Sequence, residues 1–157
     1  MDFRPAPEWT VTDWLNADRP LTLADLRGRI VVLYAFQMLC PGCATQALPQ
    51  AQRVHEGFSR EEVAVVGLHT VFEHHAANSA AALAAFLAEY RLTFPVGIDA
   101  ATEEDPIPRT MAAYAMQGTP TLVLIDRQGR LRKQVFGHEP DLRLGAEVMA
   151  LAREGPV

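Results

Sequence analysis

The stretch Ile30-Val31-Val32-Leu33-Tyr34-Ala35-Phe36-Gln37-Met38-Leu39-Cys40-Pro41-Gly42-Cys43 decides how this chain folds. Ile30 to Phe36 is an unbroken apolar run rich in β-branched residues, the pattern of a strand buried on both faces. Beyond Cys43, Leu48, Ala51, Val54 or His55, and Phe58 recur at near-helical spacing. The Cys-Pro-Gly-Cys tetrad therefore falls where a buried strand hands over to a helix. Pro49 should kink that helix or disturb its early hydrogen bonds, and Gly57 lies near its end.

That junction has a chemical consequence. The first turn of a helix carries unpaired N–H groups and a partial positive charge. A thiolate placed there is favoured over a thiol, which makes Cys40 the expected attacking nucleophile. Cys43, one turn along, should be more buried and should close on Cys40 to release a mixed disulfide. Pro41 presets helical backbone and lacks an N–H that would have no partner there. Gly42 leaves the sulfur uncovered. The chain has only these two cysteines. So short a loop constrains little chain entropy, and two thiols cannot form a four-cysteine zinc site. Reversible redox chemistry is the remaining reason for the pair.

Working outward, Leu23 to Gly28 reads as a short helical turn after an irregular or short-strand lead-in. Val63 to Leu68 reads as a second buried strand. His69 to Ala77 is polar, and Asn78 can cap a helix whose apolar face is Leu83, Phe86, Leu87 and Tyr90. Phe94 to Ile98 is a short strand, 99–108 a loop, and Arg109 to Met116 a short helix. Thr121 to Ile125 and Leu131 to Phe136 flank the turn Asp126-Arg127-Gln128-Gly129 as an antiparallel hairpin. A last helix runs from Asp141 to about Arg153. Alternation followed by a hairpin implies an α/β fold, a mixed central sheet flanked by helices on both faces.

The 157 residues suit one domain with its own core, and no repeat or long linker divides them. Apolar residues make up 49% and charged residues 21%, with a net charge of −5, which argues against unspecific binding to nucleic acid or anionic membranes. No apolar run approaches the ~20 residues of a membrane span. Asp2, Pro5 and Pro7, with no apolar core segment, do not make a secretory signal. The expectation is a cytoplasmic protein, or a periplasmic one if an export signal has been removed.

The stretch Val31 to Cys43, then Gly118-Thr119-Pro120-Thr121, then Leu122 to Arg130 and Gly137 resemble the TlpA/ResA-like, redoxin-type branch of the thioredoxin superfamily. The likeness covers nearly all of residues 20–153. It implies a thioredoxin fold with an N-terminal extension (1–22) and a helical insertion (69–94). It also implies a thiol–disulfide oxidoreductase without a cofactor beyond the Cys40–Cys43 pair, acting on protein disulfides or dithiols and recharged by an electron donor, as a monomer or weak dimer. Pro120 should have a cis peptide bond and face the cysteines. Thr119 would then offer its backbone to an extended substrate.

Two residues depart from the family. Thioredoxins carry a buried acid where this chain has Tyr34, which cannot accept a proton near neutral pH. Most relatives have an aromatic residue, usually Trp, where this chain has Leu39. Some relatives use a glutamate of the insertion instead of the acid, and here Glu73 is the candidate. His69, at the carboxyl end of a strand, is a second. His69, Glu73, His74 and His75 are metal-ligand types, but their spacing matches no familiar site, and no metal is expected. A peroxiredoxin-like peroxidase is the competing activity. Those enzymes place Thr or Ser where this chain has Gln37, and a proline further upstream, whereas none lies between Ile30 and Cys40. A redox-inactive or metal-binding module is the third reading, and it leaves both cysteines and the Gly-Thr-Pro unexplained.

Overall fold

The computed structural model describes residues 2–155. Its strands are β1 (Val11–Leu15), β2 (Ile30–Phe36), β3 (Val63–His69), β4 (Val96–Asp99), β5 (Thr121–Ile125) and β6 (Leu131–Phe136). Its α-helices are α1 (Leu48–Gly57), α2 (Ala80–Glu89), α3 (Arg109–Ala113) and α4 (Asp141–Ala152). The strands form a single mixed sheet in the order β1-β4-β3-β2-β5-β6. The pairs β2–β3 and β3–β4 are parallel, whereas β1–β4, β2–β5 and β5–β6 are antiparallel.

Strand β2 is central, and every one of its residues is buried. Because side chains alternate across a strand, its residues divide between two cores. Ile30, Val32, Tyr34 and Phe36 pack with Leu48, Ala51 and Val54 of α1, Leu83 and Leu87 of α2, and Leu144 and Val148 of α4. Val31, Leu33 and Ala35 pack on the other side with Met111 of α3, Tyr114, and Leu23 and Leu26 of the lead-in. Continuous hydrophobicity, rather than alternation, was the sequence's record of this two-sided burial.

The structure gives two local readings their form and corrects a third, the cap of the helix after β3. The lead-in contributes β1 to the sheet edge, with Trp9 and Trp14 packed against the second core. The helix after β3 is capped by Ser79, which accepts from the N–H of Ala82. Asn78 turns inward instead, donating from Nδ2 to the carbonyls of Glu73 and His74. The disturbance expected from Pro49 takes the form of a π-helical turn over Cys43–Ala47, just before the proline. Pro49 has no N–H to offer the preceding turn, and the wider turn redirects the neighbouring bonds, with Leu48 donating to the carbonyl of Cys43.

Candidate active site

The carboxyl end of β2 leads through a turn at Met38 and Leu39 into the dithiol. The Cys40 N–H donates to the carbonyl of Gln37 (3.3 Å), closing that turn. The Cys40 carbonyl accepts the helix's first regular bond, from Ala44 N–H (3.0 Å). Cys40 is thus the N-cap of the helical segment. Its sulfur does what a capping Ser or Asp oxygen does, accepting the N–H of Cys43 at 3.3 Å. Sγ also lies 3.5 Å from the Thr119 carbonyl, to which the thiol donates.

Both cysteines are free; Cys40 is half-buried and Cys43 is buried. Burial, followed by the hydrogen bond with the Cys40 side chain, pushes the Cys43 thiol up to about 12, against a weaker opposing bond from the Gln37 backbone. The two sulfurs are therefore unequal: one reaches solvent at a helix N-terminus, and the other is held protonated behind it.

The Thr119–Pro120 peptide bond is cis. A side-chain carbon built on Gly42 would lie 3.5 Å from Cδ of Pro120, so the proline ring faces the tetrad. The loop is anchored by Thr121 Oγ1 donating to the Gly118 carbonyl (2.6 Å) and by the Gly137 N–H donating to the Pro120 carbonyl (2.8 Å). Phe136 presses on Gly118, where a Cβ would meet its ring at 2.9 Å. Leu39 and Phe136 are 59% and 56% exposed, so apolar side chains stand free beside the dithiol and the cis-proline loop.

Where thioredoxins carry the acid, Tyr34 is buried in the core that also contains Cys43. Burial holds its phenol well above the ordinary value, with the Asp141 charge adding to the shift, so it stays a neutral donor. Its hydroxyl donates to Gln50 Oε1 (3.0 Å), and Gln50 Nε2 donates to the Glu139 carbonyl (2.6 Å) and Asp141 Oδ1 (2.9 Å). Asp141 in turn receives the Arg53 guanidinium. The buried part of this relay is a neutral phenol and amide, and its one carboxylate, Asp141, sits at the exposed end, paired with Arg53.

The structure does not bring Glu73 and His69 together with the sulfurs through hydrogen bonds among the described residues. Glu73 is exposed. His69 is 1% exposed, its ring 5.2 Å from that of Phe36. Burial pushes its pKa down to about 4, only partly offset by Asn78, which keeps it neutral at ordinary pH. Nε2 of His69, Oγ1 of Thr70 and Oδ1 of Asn78 are buried without hydrogen-bond partners. Among the described residues, no group of three or more His, Cys, Asp or Glu side chains is placed to hold a metal. No helix there is long and apolar enough to cross a membrane.

Sequence reading passed over Gln37 and Gln50 as structural groups, and gave Asn78 the wrong role. All three are buried amides. For Gln37 there was a signal, a polar residue ending an otherwise apolar run.

A mixed sheet with a dithiol at a helix N-terminus opposite a cis-proline defines a thioredoxin-like redox protein. The AhpC/TSA family model matches residues 4–134, and the chain belongs to that family. It is 52% identical to the thioredoxin-like superfamily protein SPOA0173, whose crystal structure superposes with a TM-score of 0.95 over 98% of this chain and 99% of that one. It is 43% identical to a thiol-disulfide isomerase from Corynebacterium glutamicum, with a TM-score of 0.93 over 96% and 97% of the two chains. Thiol-disulfide oxidoreductase ResA of Bacillus cereus (strain ZK / E33L) is 26% identical over 136 residues, 87% of this chain and 70% of that protein.

Proposed function

We propose that the chain is a thiol–disulfide oxidoreductase that reduces protein disulfides through Cys40 and Cys43. The observation that carries this reading is the inequality of the two sulfurs: Cys43 buried with its pKa pushed up to about 12, and its N–H donated to a half-buried Cys40. The names of the relatives point the same way.

On this reading the Cys40 thiolate attacks one sulfur of the substrate disulfide. A Cys40–substrate bond forms, the substrate S–S bond breaks, and the second substrate sulfur departs as a thiolate that takes up a proton. Cys43 then attacks Cys40 Sγ, forming the Cys40–Cys43 disulfide and expelling the first substrate sulfur. The Cys43 proton goes to that departing thiolate. We assign it there rather than to Glu73 or His69, because Glu73 is exposed and the His69 imidazole, at about 4, is a weak base. The substrate gains two electrons and two protons, and a dithiol donor restores the pair. Pro41, Gly42, Thr119 and Pro120 support the exchange: the first two shape the helix start, and the Thr119 backbone pairs with an extended peptide.

Insulin reduction with dithiothreitol as donor tests the activity. Cys40→Ser abolishes it, whereas Cys43→Ser accumulates mixed disulfides visible by mass. The opposite pattern reverses the roles. Consumption of hydrogen peroxide without disulfide reduction refutes the reading in favour of a peroxidase.

A further inference from the structure

Gln37 sits between the dithiol and the segment that follows β3. Its side chain is 2% exposed, and Oε1 accepts the backbone N–H groups of Phe72 (3.2 Å) and Glu73 (3.4 Å). Its carbonyl accepts the Cys40 N–H, the bond that closes the turn presenting the nucleophile. A single residue thus holds the Cys40 turn with its main chain and the 71–78 segment with its side chain.

The far end of that segment is pinned as firmly. Asn78, 7% exposed, donates to the Glu73 and His74 carbonyls at 3.3 and 3.0 Å. His74 is held at φ 51°, a left-handed conformation that a non-glycine residue adopts only under constraint. The Thr70 N–H donates to the Phe36 carbonyl, so the segment leaves β3 already fastened to the residue before Gln37. Residues 73–77 are exposed, and a loop of that kind would be expected to move freely. Here two buried amides hold its backbone from below.

We propose that Gln37 is a positioning residue, which couples the order of segment 71–78 to the placement of the Cys40 sulfur over the Cys43 N–H. The proposal rests on the thiol–disulfide reading. It assigns Gln37 no contact with substrate or reacting atoms through its side chain. When Oε1 is lost, the Phe72 and Glu73 N–H groups turn to water, Gln37 keeps its main-chain bond to Cys40 but is no longer tied to the segment after β3, and the sulfur samples positions away from the helix N-terminus. Thiolate formation and attack then suffer together.

The test is Gln37→Met, which keeps length and burial but removes the acceptor, beside Gln37→Glu, which keeps it. Two readouts are needed: amide exchange at Phe72 and Glu73, and the pH–rate profile of Cys40 alkylation by iodoacetamide in the reduced Cys43→Ala background. Gln37→Met raises exchange at both amides. It slows alkylation at neutral pH about tenfold, the factor equivalent to one positioned hydrogen bond, and moves the profile to higher pH. Gln37→Glu restores slow exchange. An alkylation profile in Gln37→Met that matches the parent overturns the coupling, whatever happens to thermal stability. So does slow exchange at both amides in Gln37→Met. Alkylation needs no disulfide substrate, so failure of insulin reduction by the wild type would sink the functional reading alone.

Discussion

Tyr34→Phe removes one oxygen from the middle of the protein and isolates what it does. The ring is 1% exposed, and the substitution leaves it in place, so no side-chain cavity is created. What disappears is the donor to Gln50 Oε1 at 3.0 Å, the bond that oxygen makes in the relay, while Gln50 Nε2 keeps both of its acceptors. A buried acceptor left without a donor costs about 1–3 kcal/mol. Because two of the three Gln50 bonds survive, the expected loss is about 1.5 kcal/mol. With a urea m-value of ~2 kcal/mol per molar, the midpoint of the reduced protein falls by about 0.7 M. In a chain of 157 residues the thermal midpoint falls by about 3–6 °C. Catalysis should respond differently. Burial keeps the phenol neutral, so it neither takes nor gives the Cys43 proton. The pH profile of insulin reduction should therefore stay where it is. Paired measurements of urea unfolding and pH–activity decide the matter. A shifted pH profile with unchanged stability would show that Tyr34 handles the proton, refuting the neutral relay. Unchanged stability alone would show that the hydroxyl bond contributes nothing.

His69 makes stability depend on pH. Its folded pKa is about 4 against 6.5 for the free side chain, so the unfolded chain binds the extra proton between those values. Stability should fall as pH drops from 6.5 towards 4, by up to about 3 kcal/mol, and His69→Asn should flatten that slope in urea titrations. Asp126 acts lower on the scale. Burial opposes its charge, but four hydrogen bonds, from the Gln128 and Arg130 N–H groups and the Arg130 and Arg132 guanidinium groups, outweigh it and hold the carboxyl below its ordinary 3.8. Its contribution is complete above 3.8 and lost as pH falls through the lower folded value. Asp126→Asn should remove part of the acid sensitivity and cost about 1–3 kcal/mol at neutral pH. Gly67→Ala should cost about 1–3 kcal/mol by overpacking, because its Cβ would come within 3.0–3.2 Å of Phe94, Val96 and Phe36, as thermal denaturation would show.

The sequence by itself determined the elements whose signal is local. Ile30 to Phe36 announced a two-sided strand by continuous hydrophobicity, the position of Cys40 and Cys43 after that strand placed both cysteines at the start of the next helix, and the paired strands around Asp126 to Gly129 announced a hairpin. Each rests on neighbours in the chain, where periodicity and turn chemistry act. The opposition of Pro120 to the tetrad was legible through family likeness, and the cis bond seen between Thr119 and Pro120 agrees with it. The tertiary structure alone decided where the polar groups went. Gln37 found acceptor work on a distant segment, Tyr34 joined Gln50 and Asp141, and His69, read as a base at the sheet edge, became a buried neutral ring. Asn78 gave up the helix cap to Ser79 for the same reason. A buried polar group takes the partner that the fold brings near, or, like Nε2 of His69, goes without one, and no local pattern records which segments will meet.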